Sequence, residues 1–197
     1  MATESHHIDW ELMRLTAEGD MAAFKQLVEK YQRAVINLAY RFLGSREEAE
    51  DIAQEVFLRI YKAAKRYKPE AKFATWLFRI TNNVCLNELR HRKRVQEVPL
   101  EPVYEHPERN LKMDVPAPEH MRPDLHLELE ERNRIIQESL ETLPPNQRMA
   151  VILKRFEGLS YQEIGDVLNM SVSAVESLLF RAKQTLKKKL TPYIQHT

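Results

Sequence analysis

The chain has 197 residues, 43% of them hydrophobic and 30% charged, and its 30 Lys and Arg nearly balance 29 Asp and Glu for a net charge of +1. That length suits one large or two small domains, and the balance excludes a strong overall electrostatic bias. The lone cysteine, Cys85, excludes an intrachain disulfide and a cysteine-rich zinc site, and no apolar run approaches the roughly 20 residues of a membrane span.

A short helix is expected over residues 8–18. The next, over 20–43, carries a continuous apolar face of Phe24, Leu27, Val28, Tyr31, Val35, Leu38 and Phe42 and stops at Gly44. Ser45 with Glu48 caps a helix over about 46–66, whose apolar face is Ile52, Ala53, Val56, Phe57, Ile60, Tyr61 and Ala64. Pro69 breaks the pattern, and a helix over about 72–92 follows with Phe73, Trp76, Leu77, Ile80, Val84 and Leu89. Residues 95–123 hold six prolines and few large apolar side chains, which reads as an extended linker. Helix resumes at about 125–142 behind Asp124. Pro144-Pro145 opens another to about 156, and Gly158 ends it.

Leu159 to Leu190 is the most informative stretch. Ser160 with Glu163, and Ser173 with Glu176, are spaced as capping boxes and mark two helix starts around a turn at NMSV. Ile164, Val167, Leu168, Val175, Leu179 and Ala182 give the pair a small core. This is the helix-turn-helix plan, whose second helix enters a DNA major groove. The class is therefore all-α, because β-branched alternation is almost absent.

Charge is distributed in blocks. Arg79, Arg90, Arg92, Lys93 and Arg94 stand against Glu88 alone, and Arg181, Lys183, Lys187, Lys188 and Lys189 have no acid among them. Residues 97–131 between them carry ten acids against Arg109, Lys112 and Arg122. Two basic ends with an acidic bridge point to two separate polyanion contacts. The four glycines lie too far apart for G-x-G-x-x-G or a P-loop, and no H-E-x-x-H or G-x-S-x-G is present. No catalytic, metal or cofactor site is expected. The N-terminus lacks the profile of a secretion signal, so a soluble cytoplasmic protein without membrane insertion is the default.

ETLPPNQRMAVILKRFEGLSYQEIGDVLNMSVSAVESLLFRAKQTLKKKL resembles region 4 of bacterial sigma factors. SREEAEDIAQEVFLRIYKA resembles their region 2.2, and KFATWLFRITNNVCLNELRHRKR their regions 2.3 and 2.4. The order, the spacing and the missing region 3 resemble the extracytoplasmic-function (ECF) group of the sigma-70 family, over roughly 15–94 and 125–190. The resemblance implies two small helical domains, at 1–94 and 124–197, joined by the acidic, Pro-rich linker at 95–123. It implies a non-enzymatic subunit that binds core RNA polymerase, recognises minus-ten and minus-thirty-five promoter DNA and assists opening.

Residue by residue, the resemblance implies that Asp51, Gln54 and Glu55 dock on the β′ clamp helices, with the β flap as a further polymerase contact. Phe73 and Trp76 fall in the strand-separating segment, where an aromatic wedge replaces base stacking. Lys68 lies in the specificity loop Arg66–Lys72, and Asn83 at a position that reads the minus-ten element. Arg90, Arg92, Lys93 and Arg94 would hold phosphates. Near the start of the recognition helix, Ser171, Ser173, Ala174, Ser177, Leu178 and Arg181 are expected to be exposed for the minus-thirty-five element. Arg181 and Lys183 are assigned to phosphates, and Leu178 to apolar contact with a thymine methyl. The linker would thread the polymerase cleft, and an anti-sigma protein would cover the binding faces. An autonomous operator-binding regulator would leave the D-x-x-Q-E helix and the FATW segment without a role. A nuclease would lack its convergent carboxylates.

Overall fold

The computed structural model describes residues 2–97 and 123–194, and every regular element among them is helical. The first unit comprises α1 (Ala2–Ala17), α2 (Met21–Leu43), α3 (Arg46–Ala63), a 3-10 turn (Ala64–Arg66) and α4 (Phe73–Glu97). The second comprises α5 (Pro123–Glu141), α6 (Pro145–Arg155), α7 (Tyr161–Leu168) and α8 (Val172–Ile194). The expected elements are all present, with shifted ends. α4 runs past residue 92 to Glu97, and α5 begins at Pro123, so Asp124 lies inside its first turn rather than before it. The linker expected over 95–123 lies, apart from its ends, outside the described residues.

The caps explain the helix boundaries. The Asp20 carboxylate accepts from the backbone of Ala22 at 2.8 Å and Ala23 at 3.1 Å, which satisfies two orphan donors of α2. Gly44 ends α2 in the left-handed region (φ 81), donating to Tyr40 O at 2.8 Å. Ser45 accepts from Glu48 N, but the Glu48 carboxylate turns away to Arg92 of α4. Ser160 and Glu163 form the full reciprocal box on α7.

The second expected box is absent. α8 begins at Val172, and Ser171 is the cap: its hydroxyl accepts from Ala174 N at 3.3 Å, and its carbonyl from Val175 N. The cause is the turn. Asn169 takes the left-handed conformation (φ 54) and Met170 N closes onto Gly165 O, so the chain is already helical at residue 172. Glu176 is therefore an exposed surface carboxylate of α8 and not half of a cap. The same turn explains Gly165, because a Cβ there would stand 2.7 Å from Met170 O, a backbone atom that cannot swing aside.

Met13, Leu27, Leu38, Phe42, Ile60 and Leu77 fill the core of the first unit, and Met149, Ile152, Leu153, Ile164 and Val175 that of the second, each no more than 1% exposed. At ~1.5–3 kcal/mol per large apolar side chain, these two clusters dominate stability. α1 is fixed by a polar anchor: Asp9, 3% exposed, accepts from Lys30 Nζ at 2.5 Å and Tyr31 OH at 2.6 Å. The two units are not merely tethered, since α4 packs on α7, and α2 on α5 and α6.

Candidate nucleic-acid and partner-binding faces

α3 buries Ile52, Ala53, Val56, Phe57 and Ile60, which leaves Asp51 and Gln54 exposed and Glu55 half-buried on its outer side. Glu55 accepts from Arg59 Nε at 2.7 Å. Leu58 lies in the same i, i+3, i+4, i+7 stripe and is 46% exposed. Tyr61, 41% exposed, extends the stripe by one turn. An apolar patch framed by two acids and an amide is suited to a partner surface that is basic and partly apolar. The resemblance, and not charge spacing, pointed to Asp51, Gln54 and Glu55. Tyr61, expected on the apolar face, is thus a correction, and Leu58 is not singled out by the sequence, because only burial separates this pair from the core residues beside it.

α4 carries a second set of candidates. Phe73 is 1% exposed under Tyr31 (rings 5.2 Å apart), Tyr67 (6.1 Å) and Trp76 (5.8 Å). It is a core residue in this conformation, so the wedge role expected of it does not fit. Trp76 is half-buried, with its ring 4.8 Å from that of Tyr67. Lys68, Arg79 and Asn83 are exposed along the same side of the unit. Arg90 and Lys93 are exposed near the end of α4, and Arg90 donates to Asn87 Oδ1 at 3.0 Å. Arg92 differs from its neighbours. It pairs with Glu48 and donates to Leu43 O at 3.1 Å, tying α4 to the ends of α2 and α3. Its expected phosphate contact competes with those bonds.

The cap residue Ser171 is exposed, as are Ser173, Ser177, Arg181 and Lys183 on α8, and Ala174 is half-buried. Ser177 donates to Ser173 O at 3.0 Å, so a base edge would have to win its proton from the helix. Leu178 is partly buried against the core, which corrects its expected exposure. The exposed apolar side chain is Phe180, at 64%. It falls on one face with Ser173, Glu176, Ser177 and Arg181. A phenylalanine in a polar stripe was visible in the sequence, but Leu178 and Phe180 lie two residues and about 200° apart around the helix, so the phase assigned to α8 decides which of them is exposed.

The minus-ten and minus-thirty-five candidates meet across a cavity of about 750 Å³. Arg66, Lys68, Trp76 and Arg79 line one side, and Asp166, Asn169 and Ser171 the other. At its edge Lys72 Nζ donates to Glu163 Oε1 at 2.8 Å. That hydrogen bond, with Ser160 N on the same carboxylate, holds the Glu163 carboxyl down at about 2. Among the described residues no group of three or more His, Cys, Asp or Glu could hold a metal, and no helix is long and apolar enough to cross a membrane. Burial pushes the Cys85 thiol up to about 12, which leaves it un-ionised and inert at neutral pH.

The family model of Sigma-70 region 2 matches residues 27–95, and that of Sigma-70 region 4 matches residues 133–186. The chain is 34% identical to the RNA polymerase sigma-H factor of Pseudomonas aeruginosa, over 95% of its own length and 96% of that protein. It is 32% identical to the ECF RNA polymerase sigma-E factor of Escherichia coli K12, over 95% of its own length and 96% of that protein. The solved structure of CnrH in complex with the cytosolic domain of CnrY superposes with a TM-score of 0.68 at 25% identity, covering 94% of this chain and 98% of that one. The sigma factor RpoE of Bartonella quintana, solved with the anti-sigma factor NepR, shares the fold with a TM-score of 0.63 at 22% identity, covering 85% of this chain and 96% of that one.

Proposed function

Because this chain belongs to the ECF group of the sigma-70 family, we propose that it directs core RNA polymerase to specific promoters and assists opening of the duplex. The observation that carries this reading is the match of both region models, in order, on one chain whose two units each present an exposed face of the required chemistry. No catalytic residue is assigned. The working boundaries are 1–94 for the first domain, 95–123 for the linker and 124–197 for the second.

We assign core polymerase docking to Asp51, Gln54 and Glu55, with Leu58 added as the apolar centre of the stripe. Supporting this, three of the four are exposed, and none is needed for the core of the first unit. Replacing Asp51 and Glu55 together by alanine is expected to weaken core binding at least tenfold, measured by fluorescence anisotropy of the labelled chain. Helicity should be unchanged, since the Glu55–Arg59 pair is exposed and surface pairs of this kind contribute only ~0.2–1 kcal/mol. Normal core binding by the double variant would overturn the assignment.

Minus-ten contact is assigned to Lys68, Trp76 and Asn83, with Arg90 and Lys93 on phosphates. Minus-thirty-five contact is assigned to Ser171, Ser173, Ser177, Phe180 and Arg181, with Lys183 on phosphate. The position of Phe180 supports apolar contact with a thymine methyl in the major groove. Phe180→Ala should cost little stability, being exposed, and should lower preference at one or two base positions by about five- to tenfold. An unchanged preference in a base-substitution binding series would remove Phe180 from the interface. An anti-sigma partner is proposed on the same faces; the complex of RpoE with NepR, a chain of this fold, supports it.

A further inference from the structure

α1 lies ahead of the residues that the region 2 model matches, 27–95, and carries none of the candidate contacts. Its inner face is a stripe at i, i+3, i+4 and i+7: Asp9, Leu12, Met13 and Thr16, each buried. Asp9 breaks the stripe, because a carboxylate stands where an apolar side chain would pack. A buried, paired charge is often no more stabilising than an apolar side chain of similar volume. What the carboxylate adds is direction. Its two oxygens take different partners: Oδ1 accepts from Lys30 Nζ at 2.5 Å, and Oδ2 from Tyr31 OH at 2.6 Å. So short a hydrogen bond to a carboxylate fixes where the phenol sits, and with it the ring.

That ring supports the aromatic group from below. Its centroid lies 5.2 Å from that of Phe73, and Phe73 lies 5.8 Å from Trp76 and 6.1 Å from Tyr67. Phe73 is thus the hub that the other three rings share. Of the four, Tyr67 and Trp76 line the cavity beside Lys68 and Arg79. Asp9 also acts on this outer pair. The Tyr67 hydroxyl is buried and has no hydrogen-bond partner among the described residues. Burial first, and then the charge of Asp9, push its phenol above the usual range, so it remains a donor in the field of the α1 carboxylate. α1 packs as well on the 3-10 turn that leads into Tyr67.

We propose that Asp9 is a positioning residue for promoter opening: through the Tyr31 hydroxyl and the Phe73 hub it holds the Trp76 indole in the orientation that receives an unpaired base. The inference rests on the reading of Trp76 as a residue that assists opening. Phe73, 1% exposed, has neighbours on every side and cannot turn alone. When Tyr31 is released, Phe73 gains room, and Trp76 samples orientations that do not stack on a base. The phosphate contacts assigned to Arg90 and Lys93 lie further along α4, so the loss falls on opening and not on initial binding.

The test combines variants with Trp76. Asp9→Asn keeps the shape and removes the charge, and Tyr31→Phe keeps the ring and removes the hydroxyl. Each should slow open-complex formation about fivefold, with initial promoter binding within about twofold of wild type. Both cut one link, so the double variant should be no slower than the slower single. Asp9→Asn should also add nothing to Trp76→Ala, because it acts only through that indole. In a Trp10→Phe background Trp76 is the only tryptophan, and time-resolved anisotropy should show faster local depolarisation in both variants. Val56→Ala, a buried truncation on α3, serves as the control for lost stability. Slowing that adds to that of Trp76→Ala would overturn the inference, as would equal slowing by Val56→Ala at the same thermal midpoint. If far-UV circular dichroism shows Asp9→Asn unfolded, Tyr31→Phe carries the same expectations. Opening at the wild-type rate by Trp76→Ala would strike the reading of Trp76 itself. Normal opening by the folded Asp9→Asn and Tyr31→Phe variants, beside a slow Trp76→Ala, would strike this inference alone.

Discussion

Trp76→Ala is expected to slow open-complex formation by about 10- to 100-fold while leaving initial promoter binding within a few-fold of wild type. The argument begins with burial. Phe73, one turn earlier, is 1% exposed beneath Tyr31 and Tyr67, so it cannot meet a base without opening the core. Trp76 is the outer member of that aromatic group, half-buried and facing the space where Lys68 and Arg79 also project. Its indole meets Tyr67 and Phe73 at tilts of 50° and 55° and also lines the cavity. A base released from the duplex loses its stacking partner, and an aromatic face restores ~1–3 kcal/mol per base. At a factor of ten for each ~1.4 kcal/mol, that loss falls on the opening step and not on the closed complex. The variant also loses aromatic contacts with Tyr67 and Phe73, worth about 0.5–1.5 kcal/mol beyond burial, so its thermal midpoint must be measured in parallel. Trp76→Phe keeps a smaller stacking face and should recover most of the rate. Permanganate reactivity of unpaired thymines against time gives the rate. A folded alanine variant that opens promoters as fast as wild type would end the assignment.

Where sequence reasoning succeeded, the signal was local. Gly44 at the end of α2, the Ser160–Glu163 box and the apolar spacing of α2, α3 and α4 depend on neighbours within four residues, and all are present as expected. It failed where a distant partner competes. Glu48 is spaced to complete a cap with Ser45, but its carboxylate serves Arg92, on a different helix. Arg92 belongs to a run of cations that reads as a phosphate grip, yet it satisfies Leu43 O. Ser173 and Glu176 have the capping spacing, and Ser171, two residues earlier, takes the cap because Asn169 has already turned the chain. Phe73 and Trp76 share a helix face and a chemistry, so only the rings of Tyr31 and Tyr67 distinguish core from surface. The closed packing of the two units was not legible at all. It rests on side chains that reach backbone carbonyls roughly a hundred residues away, and no periodicity records that.

Promoter affinity of the full chain should rise at least 100-fold when core polymerase is present, compared at one salt concentration. Each unit alone is a small module. Single modules bury roughly 600–1,000 Å² on DNA and make few base contacts, which supports only weak binding. On α8 the proposed base-reading set is short: Ser173, whose hydroxyl shares a hydrogen bond with that of Ser171, and Ser177, whose hydroxyl donates to Ser173 O, with Phe180 and Arg181. Two weak modules held at the right separation on polymerase gain through effective concentration, a factor of about 10²–10⁴ without any new contact. The packing of the two units adds to the contrast, because Ser171 and Trp76 line one cavity. The phosphate contacts should be separable from the base contacts in the same assay. Replacing Lys183 should weaken binding to all sequences and reduce the salt slope by about 1, whereas Phe180→Ala should alter preference and leave the slope in place. Tight, sequence-specific binding by the free chain would contradict this division. It would favour a protein that recognises an operator without polymerase, and the acidic stripe of α3 would then be left with no partner to explain it.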